Sequence, residues 1–428
     1  MLAAGLLAAG IALPATVAAP AATIAAGGPP LQELLDAAAP GDVLRLAPGV
    51  YGPVRITRPV TLEGEPGAEL RGPGEGSVVT ILAPDVTVRG LTIHGSGSDI
   101  STMDSGVFVG KEGDRALVEG NRIEGNLFGV YLWGPKDATV RGNEIVGRQE
   151  NVRSEAGNGV SVWNSPGSKV VDNDVRFGRD GIWVITSKHN LFSGNRMRDL
   201  RFAVHYMYTN DSEVSGNVSI GNHVGLAIMF SNRLKILRNL SEGDRDHGML
   251  FNYANNSTVE GNIVRDGGEK CVFIYNANFN RFLGNWFEGC EIGIHFTAGS
   301  ERNEISGNAF INNRNQVKYV GTRSLDWSSH GRGNYWSDNP AFDLNGDGIA
   351  DTAYRPNDIV DRVLWTAPAA KLLINSPAVQ VIRWAQSQFP ALHPGGVIDS
   401  APLMRPPEIA PPEIAPPGVA PPAAHTRS

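Results

Sequence analysis

Short runs of β-branched and aromatic residues recur along the middle of the chain, each opened by a small residue and closed by polar turn formers. They start at Gly129-Val130, Gly159-Val160, Gly181-Ile182, Ala203-Val204, Gly225-Leu226, Gly248-Met249, Cys271-Val272 and Gly293-Ile294. Runs of four to six residues bounded by Gly, Asn and Asp predict strands rather than helices. Within a strand, alternation turns Val130 and Leu132, Val160 and Val162, Ile182 and Val184, Val204 and Tyr206, Leu226 and Ile228, and Ile294 and Phe296 to one side. That side is the interior.

A second series runs out of phase with the first. Asn121, Asn143, Asn173, Asn195, Asn217, Asn239, Asn262, Asn285 and Asn308 each follow Gly, Asp or Arg, at gaps of 22, 30, 22, 22, 22, 23, 23 and 23. Self-similarity at such a period marks a solenoid. A coil of 22 residues with two or three short strands predicts an all-β fold, a right-handed parallel β-helix. Coils roughly 4.8 Å apart would pair every strand with its counterpart in the next. The recurrent Asn is structural on this reading: it tolerates a left-handed turn, and its amide can bond the same amide one coil away. The 30-residue gap is one coil plus a loop around Arg148 to Glu155.

The ends differ from the body. Residues 1–26 are apolar and end in small residues, like a signal peptide cleaved between Ala18 and Ala26, although a basic leader is missing. The solenoid is expected over residues 31–335. The spacing of Leu31, Leu34, Leu35 and Ala38 predicts a short helix capping the first coil and hiding its unpaired edge. A loop region follows at 336–361 and a helical segment at 362–404, with an apolar stripe at Val379, Ile382, Ala385 and Phe389. That stripe predicts a docking helix. The Pro-rich residues 405–428 lack core formers and are expected to be disordered or extended.

A net charge of -7, with Arg and Lys scattered, argues against a nucleic-acid partner. The two cysteines, Cys271 and Cys290, lie on neighbouring coils, so a disulfide and buried free thiols both remain open.

Three patterns could carry chemistry. Asp343, Asn345, Asp347, Ile349 and Asp351 have the oxygen spacing of a calcium loop, but Tyr354 stands where an EF-hand needs Glu; an Asx-rich turn is the alternative. On the outer face of the long strands, alternation places Tyr131, Trp133, Trp163, Trp183, His205, Met207, Met229, Phe273, Tyr275 and His295. A contiguous aromatic, Met and His face predicts a partner-binding surface. Within it His205, Met207 and Met229 form a thioether and imidazole set suited to transient Cu(I). Clustered acids for polysaccharide chemistry would have to come from Asp180, Asp211, Asp244, Asp246 and Glu269, most of them in turn contexts, and the Asp-Pro-His-Asp signature of mannuronan epimerases is absent. An enzyme is not expected.

Specific strings go further than the pattern. FAVHYMYTNDSEVSGNVSIGNHVGLAIMFSNRL, GDRDHGMLFNYANNS, EKCVFIYNANFNRF, GIHFTAGSERNEISGNAFINNRNQVKYVGT and GNYWSDNPAFDLNGDGIADTAYRPNDIVD resemble the NosD family, periplasmic β-helix proteins of nitrous oxide reductase maturation. The similarity runs from about Ala39 to Met404. It implies a non-catalytic periplasmic subunit working with an ABC-type membrane permease and a cytoplasmic ATPase. It further implies that a copper-chaperone lipoprotein supplies metal for the multicopper centre of nitrous oxide reductase. ATP binding is not expected here, because the chain has no phosphate loop ending in Gly-Lys-Ser/Thr.

Overall fold

The computed structural model describes residues 22–149, 155–297, 299–321, 323–356 and 396–412, with shorter pieces at 360, 363, 367–373 and 376–388. The chain winds as a right-handed parallel β-solenoid whose three walls are sheets of 13, 13 and 12 strands, called here A, B and C in the order the chain visits them. In one coil, Thr139–Arg141 lies in sheet A and Glu144–Val146 in sheet B, and Val160–Trp163 lies in sheet C. Every inter-coil pairing in these walls is parallel and in register, as in Val130↔Val160, Val160↔Ile182 and Ile182↔Val204. The interior is one continuous column of Val, Ile, Leu and Phe, including Val160, Ile182, Phe192, Phe251 and Phe282. Each coil contributes only a few apolar residues, so burial is completed by stacking.

The nine asparagines align in the turn from sheet A to sheet B, all of them buried. Asn195 shows the repeating bond set. Its Oδ1 accepts the backbone N–H and the side-chain amide of Asn173, and its own amide donates to Val170 O and to Asn217 Oδ1. The expectation that these residues adopt the left-handed conformation is corrected. That conformation belongs to the preceding residue: Gly194 (φ 67°), Gly216 (φ 60°), and also Asp172 (φ 56°) and Arg238 (φ 49°). The Asn itself keeps a negative φ, and its side chain is buried.

The small residues that open the sheet C strands answer a different constraint. A Cβ on Gly225 would stand 2.4 Å from the Gly248 carbonyl oxygen of the next coil. Cys271 tolerates the same position, and its sulfur forms a disulfide with Cys290.

The ends are closed by dedicated elements. Helix α1 (Leu31–Ala37) buries Leu31 and Leu35. The Gln32 side chain donates to Arg55 O and accepts from Arg55 N, satisfying the open edge of sheet C as a strand would. Strand Ala22–Ile24 pairs with Val43–Leu46, so a cleavage after Ala26 would remove the first strand of sheet A. Residues 1–21 lie outside the described residues. At the far end the Asn column continues to Asn334, whose backbone N–H donates to Asp399 Oδ2, as does Trp336 Nε1. Trp336 stacks on Phe310 at 4.4 Å. Helix α2 (Pro377–Gln388) forms where expected; Val381, Ile382 and Trp384 are exposed, Val379 and Ala385 half-buried, and Phe389 lies outside the described residues.

One buried acid in this frame supports a pH prediction. Asp244 is fully buried; its Oδ1 accepts the Asn222 N–H, and its Oδ2 accepts the Ser219 and Ser241 hydroxyls. Burial raises its carboxyl above the ordinary range despite those bonds. A carboxyl raised on folding contributes stability while protonated, and that contribution is lost as pH climbs through the raised value. Asp244→Asn keeps an acceptor for Asn222 and removes the charge. The melting temperature of the variant relative to the wild type should therefore rise as pH climbs from about 4 through the raised value. Thermal melts of both proteins over a pH series check this.

Candidate functional site

The six-residue strands of sheet C hold the site. Phe202–Met207, Val224–Met229, His247–Asn252, Lys270–Tyr275 and Ile292–Thr297 stack in register. Their outward residues form two columns. One runs Trp183, His205, Ala227, Leu250, Phe273 and His295. The other runs Ile185, Met207, Met229, Asn252 and Tyr275. Met207 and Met229 are thus direct cross-strand neighbours, both half-buried, while Tyr206 points inward and is fully buried. The expected inside and outside assignments hold for these strands.

His205 is not the open surface residue expected; its 8% exposure corrects that. Phe202 packs edge-on against the ring at 4.9 Å, and Nδ1 sits 3.1 Å from Asp180 Oδ2. Arg201 holds the same carboxylate through two bonds, Nε to Oδ1 at 2.8 Å and Nη2 to Oδ2 at 2.6 Å. Burial would raise the Asp180 carboxyl, but the bonds from His205 and Arg201 outweigh it and hold the group below its usual range. A carboxylate on Nδ1 fixes the proton of the neutral ring there and leaves the lone pair on Nε2. That is how proteins orient a histidine that binds soft or borderline metals. Two thioethers beside such an imidazole are a donor set that suits Cu(I). Among the described residues no group of three or more His, Cys, Asp or Glu side chains could hold a metal ion.

The aromatic residues divide. Tyr131 is 7% exposed under Phe128, whose ring meets it edge-on at 5.2 Å, so the open position expected for Tyr131 is also corrected. Trp133 and Trp163 stack at 5.5 Å and, like Trp183, are half-buried. Phe273 lies between His247 at 5.6 Å and His295 at 4.7 Å. Both ring nitrogens of His295 are buried without a hydrogen-bond partner, and burial, helped by Lys318, Lys270 and His247, lowers its pKa to about 4. Tyr275 is 42% exposed.

A surface stack was missed, with Tyr208 and Tyr253 exposed and Phe230 half-buried between them. Tyr208, Phe230 and Tyr253 follow the Met column, with ring centroids 5.1 and 5.2 Å apart, and Tyr253 meets Tyr275 at 6.0 Å. All three hold φ near 50°, a conformation costing an L-residue about 1 kcal/mol. Their spacing of 22 and 23 residues was a usable signal. The alternation rule stopped one residue short of them.

The other candidates make local bonds. Asp343 accepts the Gly346 and Gly348 N–H groups, Asn345 that of Asp347, Asp347 that of Ile349 and Asp351 that of Leu344. This is the Asx-turn pattern. Of the acids considered for catalysis, Asp211 pairs with Arg233, Asp246 with His223 and Glu269 with Lys270, while Asp180 and Asp244 are buried.

A family model described as periplasmic copper-binding protein (NosD) matches residues 145–341. A protein of Stutzerimonas stutzeri named probable ABC transporter binding protein NosD is 46% identical over 379 residues, covering 85% of this chain and 87% of the relative. A like-named protein of Pseudomonas aeruginosa is 42% identical over 377 residues, 85% of this chain and 88% of the relative. Solved structures share the fold alone. An exopolygalacturonase from Thermotoga maritima gives a TM-score of 0.52 at 11% identity, covering 68% of this chain and 86% of its own. A PL6 alginate lyase gives 0.50 at 14% identity, covering 73% of this chain and 92% of its own. At 46% and 42% identity to these relatives over 85% of its length, the chain belongs to the NosD family.

Proposed function

We propose that this protein is a non-catalytic periplasmic subunit of the machinery that matures the multicopper centre of nitrous oxide reductase. On this reading copper, or a copper-loaded lipoprotein, is received on the outer face of sheet C. The carrying observation is the in-register pair Met207 and Met229 beside His205, whose Nδ1 is held by buried Asp180. The relatives' name supports an ABC-type membrane complex, permease plus ATPase, as partner. The exposed Val381, Ile382 and Trp384 of α2 supply apolar surface for the permease. No helix among the described residues is long and apolar enough to cross a membrane.

A few soft ligands at the surface make a weak site, which suits a relay. Met207→Leu with Met229→Leu keeps volume and apolar character, so the fold and partner binding should survive. Reductase matured with the double variant should carry clearly less active-site copper than with the wild type. Equal copper would overturn the ligand role and leave docking alone. The purified protein should not turn over uronate polymers; turnover would favour a carbohydrate-active enzyme instead.

A further inference from the structure

Two histidines in one outward column of sheet C have opposite surroundings. His205 has a buried carboxylate, that of Asp180, at its Nδ1. His295, further along, has bases instead. Lys318 is its cross-strand neighbour in the next coil, and Phe273 stacks on its ring with His247 on the far side of that phenylalanine. The Lys270 ammonium lies over the same Phe273 ring at 5.3 Å. The charged groups that act on the His295 ring are Lys318, Lys270 and His247. The acids nearby are engaged elsewhere: Glu269 bonds Lys270 at 2.8 Å and Asp246 bonds His223 at 3.0 Å, and both act on His247. Lys318 is half-buried and makes no ion pair among the described residues.

Both ring nitrogens of His295 are buried without a hydrogen-bond partner, as is Nδ1 of His247. One nitrogen of a neutral imidazole carries a proton and needs an acceptor. Here donors converge and the acceptor is missing. Two ammonium groups repel a metal cation, which separates this place from His205. A carboxylate would satisfy lysine and histidine together, through charge-assisted bonds, the stronger kind. The flexible stem of Lys318 can carry it to the ring. The surround indicates where that carboxylate comes from. Leu250 and Phe273 are half-buried and Tyr275 is 42% exposed. A free inorganic anion gains nothing from such rings, whereas an acidic side chain on a protein surface covers them as it docks.

We propose that His295 and Lys318 form a carboxylate-binding point on sheet C that anchors an acidic side chain of a partner protein. This rests on the reading of sheet C as a docking face and does not involve copper. The free ring is neutral, with its pKa lowered to about 4, and a carboxylate favours its charged form. Docking therefore takes up a proton and should tighten as pH falls from about 7 to about 5.

The test uses full-length protein with isotope-labelled histidine, observed by NMR, and butyrate as the probe; His295→Asn identifies the resonance. Butyrate should shift the His295 signal saturably and move its titration midpoint up from about 4 toward the ordinary 6.5. Lys318→Met should weaken butyrate binding several-fold and Lys318→Arg should restore it, while the other histidine signals report an intact fold. Butylammonium at equal ionic strength should leave the signal in place. Met207→Leu with Met229→Leu should respond like the wild type, so loss of the copper role and loss of this site are told apart. No saturable shift, an undiminished response in Lys318→Met, or tighter binding of inorganic phosphate than of butyrate, which would mark a free oxyanion as the ligand, would each overturn the proposal.

Discussion

Asn217→Ala should destabilise the protein by about 3 to 5 kcal/mol in chemical denaturation, the largest effect of a single substitution expected here. Asn217 Oδ1 accepts the Asn195 backbone N–H at 3.0 Å and the Asn195 amide at 2.9 Å, and its own amide donates to Phe192 O at 2.8 Å. Alanine strands a backbone donor and a backbone acceptor in a dry column, and nothing in the coil can turn to meet them. Each orphan costs about 1 to 3 kcal/mol. Because a solenoid couples only nearest neighbours, hydrogen exchange should accelerate around residues 192–240 and remain slow in distant coils. Unchanged stability would mean that the column is decorative and that burial alone holds the coils together.

Replacing both cysteines, Cys271→Ala with Cys290→Ala, should cost about 3 kcal/mol, the loop-closure value for a short loop. The two residues are 19 apart in sequence, on adjacent coils, and both are buried. Alanine stands at the position equivalent to Cys271 in an earlier coil, Ala203, so the backbone accepts it without strain. Reductant should lower the melting temperature of the wild type and leave the variant unchanged. A variant as stable as the oxidised wild type would show that neighbouring coils already restrict the unfolded chain. A disulfide at this site accords with an oxidising compartment, as does a family described as periplasmic.

Much of the architecture was legible because a solenoid writes its period into the chain. A side chain in one coil meets its counterpart in the next, so an amide that bonds itself across coils must recur at the coil length. The Asn series and the in-register Met207 and Met229 pair follow from that. The helix over α1 was legible because its apolar spacing is local, whereas the Gln32 bonds to Arg55 join distant residues and left no periodic trace.

Sequence alone determined the β-solenoid, its coil length, the inward and outward faces of the long strands, and the resemblance that identity later established as family membership. Those properties depend on periodicity, which any single coil displays. Tertiary structure alone decided which outward residues meet solvent. His205 is covered because Asp180, one coil away, holds its Nδ1 and Phe202 packs edge-on against its ring, and Tyr131 because Phe128 lies across it. It also joined the two cysteines, chose Asp399 from the returning chain to end the Asn column, and laid Ile409 on sheet B. Each of these depends on a particular side-chain contact, within a strand, between coils or from the returning chain, and alternation along a strand assigns a face without saying what covers it.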